Sequence, residues 1–182
     1  MGPFAAAMEL SQITGIPVPD DSAGLSRWQA LLLAASNIIR AYKGQTLSVV
    51  TNDSVVMAPS SSYALFLPEA PVTAVTSITI AGVVKDVNDY VFSRGGRLWH
   101  EDFTAWTDGA TVVYTHGYAE GTYEFALLRQ TVLEMCKRVI LGSPETQVFG
   151  EVQGEAVPGW GPVLLSDTEL ERLTSLGTVA VG

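Results

Sequence analysis

Val72-Thr73-Ala74-Val75-Thr76-Ser77-Ile78-Thr79-Ile80-Ala81-Gly82-Val83-Val84 is the stretch on which the fold turns. It is dense in β-branched residues, and a period of two puts Thr76, Ile78 and Ile80 on one face and Val75, Ser77 and Thr79 on the other. Ala81-Gly82 breaks the alternation, as a turn between strands does. The same chemistry continues in both directions. Residues 47–50, 54–58 and 63–67 are short apolar runs separated by Thr51-Asn52-Asp53 and Pro59-Ser60-Ser61-Ser62, which read as turns. Downstream, Tyr90-Val91-Phe92 and Arg97-Leu98-Trp99 flank Ser93-Arg94-Gly95-Gly96, a hairpin connection, and a last strand is predicted over residues 110–115.

Outside this β region the period changes to that of a helix. Pro17-Val18-Pro19-Asp20-Asp21-Ser22 gathers helix breakers and caps, so a helix is predicted to start at Asp21 or Ser22 and to stop at Gly44. Trp28, Leu32, Ala35, Ile39 and Tyr42 recur along one face of it, with Leu25, Leu31 and Ile38 beside them. A stripe that wide must be buried against a partner, since each large side chain contributes about 1.5–3 kcal/mol on burial. A second long helix is capped by Thr122, carries Glu124 in its first turn and Lys137 and Arg138 near its end, and packs through Phe125, Leu128, Val132, Met135 or Cys136, and Val139. The fold class is therefore α+β: two long amphipathic helices bracketing a mainly antiparallel β region.

Beyond Leu141-Gly142-Ser143-Pro144 the composition shifts. Gly150, Gly154, Pro158, Gly159, Gly161 and Pro162 break any regular element, which predicts a body over residues 1–142 and a Gly/Pro-rich extended arm over 143–182. Six acids (Glu145, Glu151, Glu155, Asp167, Glu169, Glu171) face one base (Arg172) in the arm, a net of −5 out of the chain's −9. Ser166-Asp167-Thr168-Glu169 begins a short capped helix showing Leu170 and Leu173, with Leu164-Leu165 just before it.

Composition narrows the function classes. At 182 residues with 47% hydrophobic and 16% charged content, the chain is expected to fold around a core. It has no apolar run of about 20 residues, and Met1-Gly2-Pro3-Phe4 lacks the basic flank of a secretory signal, so a soluble protein made in the cytoplasm is expected. Cys136 is the only cysteine, which rules out an internal disulfide and a thiolate cluster. The charge of −9 argues against gripping a phosphate backbone, although an acidic wall lets DNA slide past.

No motif announces catalysis, and neither a cofactor nor a metal is expected. His100-Glu101-Asp102 are consecutive rather than convergent, and His116 at a strand-to-helix junction suits a turn-stabilising hydrogen bond. Cys136 falls on a helical core face, where a thiol acts as a small hydrophobe. The glycines lack phosphate-loop spacing. Trp28 lies in the helical stripe, and Trp99, Trp106 and Trp160 are far apart in sequence, so packing is the simpler reading than stacking on sugars or bases.

Four stretches in order carry a family likeness: Ile38-Ile39-Arg40-Ala41-Tyr42-Lys43-Gly44-Gln45-Thr46; Leu67-Pro68-Glu69-Ala70-Pro71-Val72 leading into Val75-Thr76-Ser77-Ile78; Val112-Val113-Tyr114-Thr115-His116-Gly117-Tyr118; and Leu165-Ser166-Asp167-Thr168-Glu169-Leu170-Glu171-Arg172-Leu173. Together they resemble the head-to-tail connector or adaptor family of long-tailed phages, especially those of actinobacteria. The resemblance implies a non-enzymatic virion protein, assembled in the host cytoplasm into a ring of identical subunits, typically twelve. That ring sits in the neck beneath the portal, passes DNA through its channel without reading it, and offers a platform to a stopper or tail-terminator protein. It also implies that the C-terminal segment reaches toward the portal, with Leu164, Leu165, Leu170 and Leu173 as contacts. Gly177-Thr178-Val179-Ala180-Val181-Gly182 stands where relatives often carry a basic tail.

Three other readings compete. A stopper or tail-completion protein would also form a ring, but such proteins are more purely β. A glycan-binding β domain would use Tyr90, Trp99 and Trp106. A small hydrolase would need His100, Asp102 or His116 beside a nucleophile that the sequence does not supply.

Overall fold

Asp21 Oδ1 accepts the Gly24 amide at 2.7 Å, and Gly44, at φ +62°, turns its N–H back onto the last turn. These two local devices bound helix α2, Ser22–Lys43, as its sequence predicts. The computed structural model describes residues 1–142 and 163–176 of the chain. Within them Thr122 Oγ1 accepts the Phe125 amide at 3.3 Å to open helix α3, Tyr123–Leu141, which ends at left-handed Gly142.

The described residues form an α+β fold that divides into two compact units. The helical unit comprises Met1–Gly44 and Glu120–Leu176, and the β unit comprises residues 45–119. The arm predicted over 143–182 falls mostly outside the described residues, and its described part, 163–176, is counted with the helical unit.

In the helical unit α2 and a further helix, α1 (Ala7–Thr14), both pack against α3. Trp28, Leu31, Leu32, Ala35, Ile38 and Ile39 of α2 are buried, as are Phe125, Leu128, Val132, Met135 and Cys136 of α3. Tyr42 departs from the predicted stripe: it is 38% exposed, since at the next-to-last position of the helix little partner surface is left to cover its ring. Val139, for the same reason, is half-buried. Helix α1 is an element that the sequence did not predict. Leu10 anchors it in the core, Phe4 meets Phe125 edge-on with ring centres 5.9 Å apart, and Glu9 Oε2 accepts the Ala6 amide at 2.8 Å.

The β unit holds seven strands: β1 (Val50–Met57), β2 (Ala64–Phe66), β3 (Val72–Ile80), β4 (Val83–Lys85), β5 (Tyr90–Phe92), β6 (Arg97–His100) and β7 (Ala110–His116). All ladders are antiparallel, in one sheet of order β1-β7-β3-β4 and another of order β2-β6-β5. Leu65 and Leu98 from the smaller sheet join Ile78, Val112 and Tyr114 from the larger in a single core, with Trp106 and Leu67 closing it. Ala81 and Gly82, at φ +48° and +78°, make the two-residue turn between β3 and β4 that right-handed strand twist favours.

Two predicted details change for one physical reason, an extra residue in a strand. Thr51-Asn52-Asp53, expected as a turn, lies inside β1, where Asn52 takes φ +55° and the register with β7 shifts between Val50 and Asp53. In β3 the register shifts between Val75 and Ser77, so Val75 packs on the core and Thr76, expected on the face of Ile78, is exposed.

Candidate functional site

The C-terminal helix is where the helical unit concentrates its charge chemistry. Ser166 Oγ accepts the Glu169 amide at 3.4 Å and Glu169 Oε2 accepts the Ser166 amide at 2.7 Å, the reciprocal box that starts helix α4, Asp167–Ser175. Glu169 does more than cap. Arg138 of α3 approaches it with both terminal nitrogens, Nη1 to Oε1 at 2.9 Å and Nη2 to Oε2 at 3.0 Å, and Nη2 also donates to the Leu164 carbonyl at 2.6 Å. Glu169 is 1% exposed, so this charge is out of water and each of its oxygens is occupied.

Two further contacts hold α4 along its length. Arg172 pairs with Glu134 of α3. Lys43 Nζ donates to the Leu173 and Leu176 carbonyls at 3.1 and 3.0 Å, placing a cation on the negative end of the helix dipole. Burial lowers the pKa of Lys43 from its ordinary value. Tyr42, whose ring left the α2 stripe, brings its hydroxyl to 3.5 Å from Thr174 Oγ1.

The four predicted contact leucines separate into two pairs. Leu165 and Leu173 are buried in the helical unit together with Val163 and Leu176, while Leu164 and Leu170 are half-buried. A nine-residue helix is too short to persist alone, so its apolar face docks on the chain that carries it. Cys136 lies beneath this contact, and burial first, then the Glu169 carboxylate, pushes its thiol up to about 12 against the opposing pull of Arg138. A thiol so held is a packing group.

The candidate catalytic residues sit in the β unit. His100 Nδ1 lies 2.6 Å from Asp102 Oδ1, and the same carboxylate accepts from Thr104 N and Oγ1, which holds Asp102 below its ordinary pKa. That network shapes a turn. His116 is 1% exposed on β7 with Nε2 3.2 Å from Asp53 Oδ2 on β1, a contact between strands rather than the local turn bond expected. Its ring stacks obliquely on Tyr114, whose hydroxyl burial and the Asp53 charge push up to about 12. Neither histidine has a serine, threonine or cysteine bonded to it among the described contacts. Among the described residues no group of three or more His, Cys, Asp or Glu side chains is placed to hold a metal, and no helix is long and apolar enough to cross a membrane.

Of the tryptophans, Trp28 and Trp106 are buried, and Trp106 Nε1 donates to the Tyr63 carbonyl at 3.2 Å. Trp160 lies outside the described residues. Tyr90 meets Trp106 at 5.5 Å and His100 at 4.9 Å beside a cavity of about 240 Å³ that Lys85 and Asp108 also line. Trp106 is 4% exposed, so of the Tyr90 and Trp106 rings the half-buried Tyr90 is the one open to that cavity.

No family model matches the sequence, and no curated protein matches it. The fold does have solved counterparts. A chain in a structure described as the neck of an empty GTA particle computed with C6 symmetry superposes with a TM-score of 0.56 at 17% identity, over 97% of this chain and 90% of that one. A chain in the virion of a native gene transfer agent particle superposes at 0.52 with 16% identity over the same shares. At such identity the likeness is one of fold.

Proposed function

We propose that this chain is a structural, non-enzymatic component of a tailed-phage neck, the head-to-tail adaptor that forms a ring beneath the portal, extends the DNA channel and presents a platform for stopper and tail attachment. The observation that carries the reading is the fold likeness, over nearly the whole chain, to a chain in the neck of a gene transfer agent particle. Its long helices favour an adaptor over the more purely β neck components. A ring of about twelve copies requires a heterologous interface whose rotation closes, which a chain with two separate units can supply. A net charge of −9 suits a channel past which DNA slides without being held.

Within this reading Leu165 and Leu173 anchor α4 to its own unit, and the half-open Leu164 and Leu170 meet the portal. Electron cryo-microscopy of virions of the phage that encodes the chain tests the assignment. A ring at the head-to-tail junction that accepts this fold, with α4 toward the portal, supports it. Absence from the virion, or a position outside the neck, overturns it.

A further inference from the structure

One face of the smaller sheet carries an open aromatic surface built around a cation. On β6, Arg97 and Trp99 share the face opposite the core residue Leu98. The Arg97 guanidinium lies 5.1 Å from the Tyr63 ring centre and 5.3 Å from that of Trp99, and its Nη2 donates to the Tyr63 hydroxyl at 2.7 Å. Phe103 completes the surface, edge-on to Tyr63 at 5.7 Å.

The presentation of Phe103 is costly. It is 62% exposed and takes φ +58°, a conformation that bulky side chains avoid. Its backbone is held there from both sides, by its own N–H on the His100 carbonyl at 3.0 Å and by Asp102 Oδ1 accepting from Thr104. A strained backbone fixed so as to aim an aromatic ring at solvent points to a use for that ring. Tyr, Trp, Phe and Arg are also the residues that dominate interface energetics.

Charge and shape select the occupant. No carboxylate pairs with Arg97 among the described residues, although the chain has 19 acids to 10 bases. A complementary segment exists between α1 and α2: Ile16-Pro17-Val18-Pro19-Asp20-Asp21. Ile16 is 38% exposed, Pro17 and Asp20 are exposed, and no cation pairs with Asp20 among the described residues. Two prolines fix the segment's φ angles, so little entropy is lost when it lies on an aromatic surface, and a carboxylate next to the second proline is suited to Arg97.

We propose that the Tyr63, Arg97, Trp99 and Phe103 surface of one copy receives the Pro17-to-Asp20 segment of a second copy of this chain, with Asp20 pairing with Arg97. The proposal rests on the ring reading and names the contact that closes the ring. Because the two surfaces are different patches, the contact is heterologous.

The test uses the full chain carrying single cysteine substitutions at positions that are not buried. Val18→Cys and Phe103→Cys chains, mixed and mildly oxidised, are expected to form mixed disulfides well in excess of a Val18→Cys and Phe92→Cys mixture. Sedimentation is expected to show Arg97→Glu and Asp20→Arg each weakening self-association about tenfold, and the double variant recovering most of it. Oligomers without the specific adduct or the charge-swap recovery overturn this interface and leave the ring reading standing. A chain that stays monomeric at millimolar concentration without adducts overturns both. If Arg97→Glu leaves self-association intact and abolishes binding of another neck protein, the surface belongs to that partner and the proposal falls.

Discussion

Arg138 and Glu169 form a two-pronged ion pair, at 2.9 and 3.0 Å, between α3 and α4, and Glu169 is the most deeply buried acid among the described residues. The carboxylate also caps its own helix, so one side chain couples the start of α4 to its docking. Removing one partner strands the other away from water. Glu169→Ala or Arg138→Ala is expected to cost about 3–5 kcal/mol in chemical denaturation. Arg172→Ala, at the more exposed pair with Glu134, should cost no more than about 1 kcal/mol. Equal losses for the two pairs would show that burial is not what gives the first its weight.

Cys136 reports on the same contact. With its thiol pushed up to about 12, the reactive thiolate is scarce at pH 8, and the native chain should resist iodoacetamide. Leu173→Ala is expected to speed alkylation at least tenfold by letting α4 lift, an opening that hydrogen exchange in α4 would register in parallel, and Glu169→Gln to do so also by removing the carboxylate that helps push the thiol up. Unchanged alkylation in both variants would mean that the thiol is shielded without α4.

The same shift sets an alkaline limit. Folding raises the Cys136 pKa from 9.0 to about 12, so the folded state holds the proton that the unfolded chain gives up. The stability tied to it is whole below pH 9 and declines as pH climbs toward 12, by up to about 1.4 kcal/mol per unit. Tyr114 adds a parallel loss between 10 and about 12 in the β unit. Cys136→Ala is expected to flatten the decline between pH 9 and 10, where Tyr114 contributes little, as read from denaturant midpoints across that range.

What could be read from sequence divides by distance along the chain. Asp21 with Gly44, Thr122, and Ser166 with Glu169 cap their helices where predicted, because capping is chemistry among residues within one turn. Helix α1 was hidden for the converse reason: its cap is Ala6, which offers no side-chain acceptor. Asn52 carried a true signal for positive φ that a bulge uses as readily as a turn, and only the partner strand β7 decides between them. The site was less legible. Arg138 meets Glu169 across 31 positions, Arg97 meets Tyr63 across 34 and His116 meets Asp53 across 63, and nothing in a local pattern records those pairings. Leu165 and Leu173 were visible as an apolar face, but whether their own chain covers that face is a tertiary fact.

Gly117 tests the junction after β7. At φ +92° an added Cβ would lie 2.2 Å from the Ser48 carbonyl oxygen, a backbone atom that cannot swing aside, and the Gly117 amide is committed to the Pro71 carbonyl at 2.9 Å. Gly117→Ala is expected to destabilise the β unit by more than about 3 kcal/mol, or to prevent its folding. Gly95→Ala, whose nearest contact would be 3.9 Å away, should be close to neutral. Similar thermal midpoints for the two variants would contradict the steric account.

Gly24 sets a general preference against a specific contact. Replacing a helical glycine with alanine normally stabilises by about 1 kcal/mol. Here the new methyl would meet Pro19 Cβ at 2.6 Å and Asp21 Oδ2 at 2.9 Å, because the chain entering α2 folds back over its first turn. The clash outweighs the propensity gain, since displacing Pro19 also pulls on Asp21, whose other oxygen caps Gly24. Gly24→Ala is therefore expected to destabilise by about 1–2 kcal/mol. Pro19→Gly removes the closer of the two obstacles, and in that background the same substitution should be clearly less destabilising, with Asp21 Oδ2 still opposing it. A thermodynamic cycle over the four chains measures this, and a stabilising Gly24→Ala in the otherwise unaltered chain would show that Pro19 yields freely.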